Sequence, residues 1–317
     1  MLQNTPEWNP EGFDRYKEIF PNTPIIQIDE NLNKSDRFRQ KWELGADVAA
    51  DQLKSLATDT SIVFVRGYLG NLMPGNFTQP VRFLKRLGFD SFILKNKAGA
   101  DVDSNVALLA KQLVDHDPGR RLLFCGHSKG GMECLWLLAR HQDIRSRCAG
   151  VALSQMPSGP SRVLESILQK KHRGRPYSSY RRVSETIQGL MLSAIGARPG
   201  GYDLTSESWS PLVSGILGCE WTFPVLQTAS WSIKPTAWLD SFHARLGEIF
   251  PGQAHDGQFY LNDLIWPGFA HVLLPEVDHA QPAMGGSGFD CGRYWLTTLS
   301  VLAEMIEEQP QAAEVPQ

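Results

Sequence analysis

Short apolar runs of strand length alternate along the chain with segments whose apolar residues recur at helical spacing. Strand-like runs lie at 61–65, 91–94, 121–125, 148–154, 221–229 and 271–275, with 24–28 as a candidate edge strand. Helical patterns lie at 77–88, 102–114, 130–140, 238–250 and 293–307. Strands that alternate with helices indicate βαβ units. The pattern therefore predicts an α/β fold, with a mostly parallel sheet and helices on both faces.

One segment departs from this alternation of strands and helices. Residues 157–218 are too many for a loop between a strand and a helix, and they carry helical patterns at 161–171 and 178–192. We interpret them as a helical insertion into a core made of residues 1–156 and 219–308. The last residues, 309–317, are polar and contain proline, so we expect a disordered tail.

Composition excludes several classes of protein. With 42% hydrophobic residues, the chain can bury a large core, which excludes wholesale disorder. The net charge of -3, from 31 basic and 34 acidic residues, argues against a dedicated nucleic-acid binder. No apolar run reaches the roughly 18 residues of a transmembrane helix, and the first residues lack the pattern of a secretory signal.

The cysteine pattern points to a reducing compartment. The chain has five cysteines, and an odd number argues against a disulfide framework. Their spacing is not that of metal ligands, which argues against a zinc site. We expect Cys125, Cys134 and Cys148 to be core thiols, no metal or organic cofactor to be needed, and the protein to be cytoplasmic.

A glycine-flanked serine is the first sign of chemistry. Gly126-His127-Ser128-Lys129-Gly130 matches the G-x-S-x-G pattern, and it lies directly between a predicted strand and a predicted helix. That placement is the structural condition for a nucleophile elbow, a strained turn that exposes the serine hydroxyl above the sheet. Gly126 and Gly130 leave room where strand and helix backbones crowd together. We therefore predict that Ser128 is a nucleophile.

A nucleophilic serine needs a histidine base, which in this architecture follows the acid in the chain. His127 lies inside the elbow, His141 and His172 precede any later acid loop, and His271 opens a strand. His279 is favoured, because it lies in a loop just beyond the last predicted strand, where a base could reach the elbow.

The acid that orients the base is less sharply indicated. Asp256 is favoured because it lies in a loop between the last two strands, with Gly257 to turn the chain. Asp240, Asp263 and Asp278 remain alternatives: Asp240 lies in a predicted helix, Asp263 is nearer the final strand, and Asp278 is adjacent to His279.

The oxyanion of an acyl-transfer intermediate needs two backbone N–H donors. Lys129, the residue after the nucleophile, would supply one. The loop after the first strand, Arg66-Gly67-Tyr68-Leu69-Gly70, would supply the other. Gly67 allows a close backbone approach, and Tyr68 is the first candidate donor, followed by Leu69.

Four stretches of the chain resemble the α/β-hydrolases, and more narrowly the bacterial lipase and esterase members. They are RGYLG (66–70), GHSKGG (126–131), QMPSGPS (155–161) and DGQFY to VDHAQPA (256–283). The resemblance implies a Ser128–Asp256–His279 triad, acyl transfer through an acyl-enzyme, and a helical cap or lid formed by the insertion. Two departures are Arg66 where relatives have histidine, and Lys129, which places a cation near the site.

The substrate is indicated only in outline. Residues 160–182 carry seven basic residues against one acidic residue, which suggests either a solvated surface or a guide for anionic substrates. Trp209, Trp221 and Trp231 are candidates for an acyl pocket, although core packing is the simpler role for each. We expect a small-molecule or polymeric acyl substrate, no nucleic acid, and a possible homodimer.

Three function classes fit the sequence. The first is a serine hydrolase of carboxylic esters. The second is an acyltransferase, or a hydrolase of amides, thioesters or polyesters, that uses the same triad. The third is a non-catalytic binding protein of the same fold, which is disfavoured because all three triad residue types are present. A nucleotide-binding Rossmann protein is disfavoured because no G-x-G-x-x-G opens a helix after a strand.

Overall fold

The computed structural model describes residues 8–26, 28–116, 119–168, 188–236 and 239–309. Six strands in these residues form one sheet in the order β2-β1-β3-β4-β5-β6, and every neighbouring pair is parallel. The strands are β1 Thr60–Val65, β2 Ser91–Ile93, β3 Arg121–His127, β4 Cys148–Ser154, β5 Val225–Ser230 and β6 Ala270–Leu274. The predicted parallel sheet is thus confirmed.

The direction in which the chain adds strands to the sheet reverses between β1 and β3. The chain runs from β1 outward to β2, then returns to place β3 on the other side of β1, with Val65 paired to Gly126 in register. The loops that leave the carboxyl ends of β1 and β3 therefore diverge from neighbouring points. Ligands of open α/β sheets bind in the crevice at such a switch point.

Helices cover both faces of the sheet. Along the chain they are α1 Tyr16–Ile19, α2 Ser35–Leu44, α3 Ala46–Ala57, α4 Thr78–Arg86, α5 Val102–Val114, α6 Lys129–Arg140, α7 Gln142–Arg145, α8 Arg162–Leu168, α9 (188–194), α10 Arg198–Tyr202, α11 Ser206–Leu217, α12 Asp240–Ile249, α13 Gln281–Met284 and α14 Cys291–Glu308. On one face α14 packs against α2, α3 and α4, and on the other α6 packs against α5 and α11. The strands are buried on both sides, which explains why they are continuous apolar runs without alternation.

The segment between β4 and β5 has several described helices, which turns and loops connect. It contains α8, α9, α10 and α11. Helices were expected at 161–171 and 178–192, whereas α10 and α11 were not foreseen. The basic stretch from Lys170 to Arg182 and the tail from 310 onward lie outside the described residues.

Two sequence expectations differ from the structure. The described residues of the candidate edge strand at 24–28 lie outside the sheet, and the last strand is instead flanked by an isolated bridge between Asn33 and His271. The predicted strand at 221–229 begins only at Val225, because Pro224 and the turn before it precede the ladder. No described helix is both long and apolar enough to cross a membrane.

Candidate active site

Ser128 occupies the turn between β3 and α6, at the switch point of the sheet. Its backbone has φ 54° and ψ -131°, a conformation that L residues rarely adopt. Its amide donates a hydrogen bond of 2.9 Å to the carbonyl of Ser154, which ties the turn to the end of β4. The side chain is 5% exposed and lines a cavity. Ser128 therefore has the strained geometry that a nucleophile elbow requires.

The glycines around Ser128 are required by backbone contacts. A Cβ at Gly126 would lie 2.5 Å from the Cα of Gly131, and one at Gly130 would lie 2.4 Å from the carbonyl oxygen of Val65. A Cβ at Gly67 would meet the Cβ of Ser128 at 2.9 Å. The loop after β1 thus passes directly over the nucleophile turn, and only glycine permits this approach.

His279 and Asp256 meet although 23 residues separate them. His279 Nδ1 donates to Asp256 Oδ2 at 2.7 Å, and the His279 amide donates to the Asp256 carbonyl at 2.8 Å. Asp256 Oδ1 accepts the amides of Gln258 and Phe259, so the Asp-Gly turn locks the carboxylate in place. Because Nδ1 carries the proton, Nε2 is left as the basic nitrogen. His279 lines the same cavity as Ser128.

A second histidine, His127, holds the backbone carbonyl of His279. His127 Nε2 donates to it at 2.7 Å, and the two imidazole rings lie 4.9 Å apart. Burial, followed by the nearby His279, lowers the pKa of His127 to about 3. A neutral His127 is a permanent donor, so it can hold the His279 loop without competing as a base.

Two of the alternative acids, Asp278 and Asp263, make other contacts in the structure. Asp278 Oδ1 accepts the amides of Ala280 and Gln281 at 2.8 and 3.0 Å, and burial raises the pKa of this carboxyl. It therefore stabilises the turn that follows His279. Asp263 lies against Gly159, since a Cβ there would meet its Oδ1 at 2.2 Å. The side chain of Asp240 lies outside the described part of the structure.

The two amides proposed for the oxyanion are not used elsewhere. Within the described part of the chain, neither the Tyr68 amide nor the Lys129 amide makes a hydrogen bond. The Leu69 amide, the second candidate in the loop, donates to the carbonyl of Ala98 at 2.9 Å. Leu69 is therefore occupied, and Tyr68 is the available donor.

The Lys129 side chain is buried and lies outside the cavity lining. Its ammonium is 2% exposed and does not line the cavity; it pairs with Glu133 Oε1 at 2.9 Å and donates to the Ala100 carbonyl at 2.9 Å. Asp203 Oδ2 lies 3.5 Å away. The sequence implied a cation near the site, and the structure buries this cation among acceptors outside the cavity lining, because burying an ammonium is costly unless it is paired.

A cavity of about 300 Å³ opens beside Ser128 and His279. Its walls are mainly aliphatic and aromatic, and they come from the 157–218 segment, from α12 and from the loops beside Ser128. Examples are Leu164, Ile167, Leu192, Ile195, Leu204, Leu239, Phe242 and Phe259. Trp209, Trp221 and Trp231 do not line it and pack instead in the core clusters. The cavity would hold an apolar group next to the serine.

Several supporting residues were missed from the sequence. Glu133 lies four residues after Lys129, a spacing that places both on one helix face and could have signalled the pair. Asn96 and Asn105 each donate to the Glu133 carboxylate at 2.8 and 2.7 Å. No local pattern marks Asp203 or the asparagines, because their partners lie far away in the chain. The described residues bring together no group of three metal-ligating side chains.

No protein-family model matches the chain, and no curated protein matches it in sequence. Solved structures do match. The mature Bacillus licheniformis lipase BlEst2 aligns with a TM-score of 0.58 and 16% identity, over 77% of this chain and 92% of that one. The metagenomic carboxyl esterase MGS0156 aligns at 0.57 and 17% identity, over 79% and 75%.

The phospholipase PlaB from Legionella pneumophila is also similar, with a TM-score of 0.55 and 11% identity over 78% of this chain and 62% of that one. At identities this low, the structural alignments establish a shared architecture and no more. The chain therefore has the α/β-hydrolase fold, as its motifs implied.

Proposed function

We propose that the protein is a serine hydrolase that cleaves carboxylic esters with a Ser128–His279–Asp256 triad. The observation that carries this is the His279–Asp256 hydrogen bond of 2.7 Å beside a cavity that Ser128 also lines. The names of the similar structures, a lipase, a carboxyl esterase and a phospholipase, support ester hydrolysis.

In the proposed reaction, His279 Nε2 accepts the proton of the Ser128 hydroxyl as Oγ attacks the ester carbonyl carbon. Asp256 keeps the imidazole in the required tautomer and stabilises its charged form. The developing oxyanion accepts hydrogen bonds from the Tyr68 and Lys129 amides. Protonated His279 then gives its proton to the leaving alcohol, and a water molecule releases the acid from the acyl-enzyme.

The apolar cavity supports a substrate with an aliphatic or aromatic group next to its carbonyl. Leu164, Ile167, Leu192, Ile195 and Leu204 belong to the 157–218 segment and form much of its wall. We propose that this segment is the cap over the acyl site. Burial of each methylene of the substrate would contribute about 0.8 kcal/mol, so esters of longer acids should bind more tightly until the cavity is full.

Five free cysteines support the further proposal of a reducing, cytoplasmic location. Cys125, Cys134 and Cys291 are buried, and Cys148 and Cys219 are partly exposed. Burial raises the pKa of the Cys291 thiol to about 12, which keeps it protonated and unreactive.

The proposal is tested by p-nitrophenyl esters from acetate to decanoate and by covalent labelling with a fluorophosphonate. Ser128→Ala should lower kcat by about 10⁶-fold and abolish labelling. Ser193→Ala is the matched control, because Ser193 is an exposed helical serine that does not line the cavity. Labelling that persists in Ser128→Ala, or wild-type protein that neither hydrolyses these esters nor reacts, would overturn the proposal.

A further inference from the structure

Both residues that supply the proposed oxyanion amides extend their side chains to one short part of the cap. We call residues 197–203 the clamp segment; it contains α10 and ends at Asp203. No residue of the clamp segment lines the cavity, so its contacts act through the backbones that it holds.

Tyr68 reaches the clamp segment through its hydroxyl. Tyr68 Oη donates to the carbonyl of Ala197 at 2.7 Å. A Cβ at Gly201 would lie 2.9 Å from the same hydroxyl, so α10 packs directly on the phenol. Burial raises the pKa of Tyr68, which keeps the hydroxyl a donor at all physiological pH values.

Lys129 reaches the other end of the clamp segment. Its Nζ lies 3.5 Å from Asp203 Oδ2, and that same oxygen accepts the amide of Val102 at 2.6 Å. Asp203 thus joins the first residue of α6 to the first residue of α5. Burial raises the pKa of Asp203, and Lys129 acts in the opposite direction as the next cause.

The clamp segment also packs against the loop after β2, and the two backbones lie so close that glycine is required at the contact. The Gly200 amide donates to the Gly99 carbonyl at 2.8 Å. A Cβ at Gly99 would lie 2.2 Å from the Cα of Ala197, and one at Gly200 would lie 2.4 Å from the Ala100 carbonyl oxygen. Since Ala98 in this loop also accepts the Leu69 amide, the loop joins the clamp segment to the oxyanion loop.

We propose that the Ala197 carbonyl and Asp203 are positioning groups that fix the Tyr68 and Lys129 amides at the spacing an oxyanion needs. The inference rests on the proposed serine hydrolase. It explains why the cap carries buried polar contacts to two residues whose side chains take no part in the chemistry. A docked clamp segment completes the oxyanion site, and a displaced one leaves the triad intact but the amides misplaced.

The test compares Tyr68→Phe, Asp203→Asn and the double variant with wild type. Tyr202→Phe is the matched control, because it removes a hydroxyl from the same helix. Among the described residues this hydroxyl bonds only to Arg198 of that helix, and Tyr202 does not line the cavity. A misplacement of about 1 Å can cost about 10²-fold in rate. We expect kcat to fall roughly tenfold in each single variant and further in the double variant, with KM little changed.

A second readout isolates the oxyanion. With a trifluoromethyl ketone, Ser128 Oγ bonds to the carbonyl carbon, the serine proton passes to His279, and the carbonyl oxygen becomes an oxyanion. Affinity for this ketone should fall with kcat, whereas affinity for the corresponding alcohol should not. Wild-type kcat and ketone affinity in the Tyr68 and Asp203 variants would overturn the proposal, as would a rise in KM without a change in kcat.

A third readout does not depend on activity. The ¹H–¹⁵N signals of the Tyr68 and Lys129 amides should shift in Tyr68→Phe and Asp203→Asn, and stay in place in Tyr202→Phe. Shifted signals in a protein that hydrolyses no ester would show that the clamp exists while the hydrolase proposal fails. Signals that stay in place in an active enzyme would overturn the clamp alone.

Discussion

Ser128 has a positive φ, and the positions two residues before and after it admit no side chain. Gly126 and Gly130 would each bring a Cβ within 2.5 Å of another backbone atom. The G-x-S-x-G spacing was sufficient to predict that both positions need glycine, although the atoms that each Cβ would meet belong to Gly131 and to Val65 of β1. The contact between Gly67 and Ser128 could not be predicted in the same way, because 61 positions of chain separate them and only the register of β1 and β3 brings them together.

Asp256→Asn tests the proposed acid at the residue scale. The asparagine oxygen can still accept the amides of Gln258 and Phe259, so the turn should keep its shape. Its NH₂ group would then face His279 Nδ1 and favour the tautomer whose Nε2 carries the proton. We expect kcat to fall about 10⁴-fold, measured with a p-nitrophenyl ester, while the midpoint of urea unfolding changes little.

Asp263→Asn is the control for this prediction, because Asp263 lies against Gly159 and does not bond to His279. It should retain wild-type kcat. If Asp263→Asn lost the activity and Asp256→Asn kept it, the acid would have been assigned to the wrong residue.

At the scale of elements, periodicity located the strands and helices of the sheet region well. The patterns at 102–114 and 130–140 correspond to α5, which buries one face, and to α6, which is buried on almost all sides. Periodicity gave no sign of α10, whose Arg-Pro-Gly-Gly-Tyr sequence is a poor helix former. Its close contacts with Gly99 and Ala100 stabilise it, and tertiary contacts of this kind are invisible in a window of sequence.

Helix α6 depends on an ion pair that is almost fully buried. Lys129 and Glu133 are 2% and 1% exposed, and Asn96 and Asn105 complete the hydrogen bonds of the carboxylate. Glu133→Leu would leave the ammonium buried, with Asp203 at 3.5 Å as its one remaining salt-bridge partner among the described residues. We expect the free energy of unfolding, measured in urea, to fall by about 3 kcal/mol.

The matched control lies at the other end of the same helix. Arg140 pairs with Asp103 at 3.1 Å, but both side chains are at least half exposed. Asp103→Ala should cost no more than about 1 kcal/mol, because solvent screens the pair. If Glu133→Leu and Asp103→Ala lowered the free energy of unfolding by the same amount, burial would not determine how much the Lys129–Glu133 pair contributes to stability.

At the scale of the whole molecule, chain order and sheet order together create the site. Ser128 follows β3, Asp256 lies between α12 and β6, and His279 follows β6. The alternation of strands and helices predicted a parallel sheet, and a parallel sheet gathers the loops after its strands at one edge. The shape of the cavity could not be predicted, since residues from the 157–218 segment, from α12 and from the loop after β1 line it jointly.

The response of the folded state to acid is a second property of the whole molecule. Burial, followed by the neighbouring His243, lowers the pKa of His255 from 6.5 to about 4. His255 therefore favours folding above about pH 6.5, and this contribution is lost as the pH falls through 4. Burial raises the pKa of Asp263 to about 6, so its contribution has the opposite sign and is lost as the pH rises through 6.

His255→Phe separates these contributions. Phenylalanine cannot titrate and suits a site where His255 is 2% exposed and packs against Phe20 and Tyr260. Between pH 6.5 and 4 wild type should lose about 3 kcal/mol more unfolding free energy than His255→Phe, measured by urea unfolding at each pH. Asp263→Asn should show the reverse, gaining on wild type as the pH rises from 4 to 6. Parallel pH profiles for wild type and His255→Phe would mean that His255 titrates equally in the folded and unfolded chains, and that its burial does not limit stability in acid.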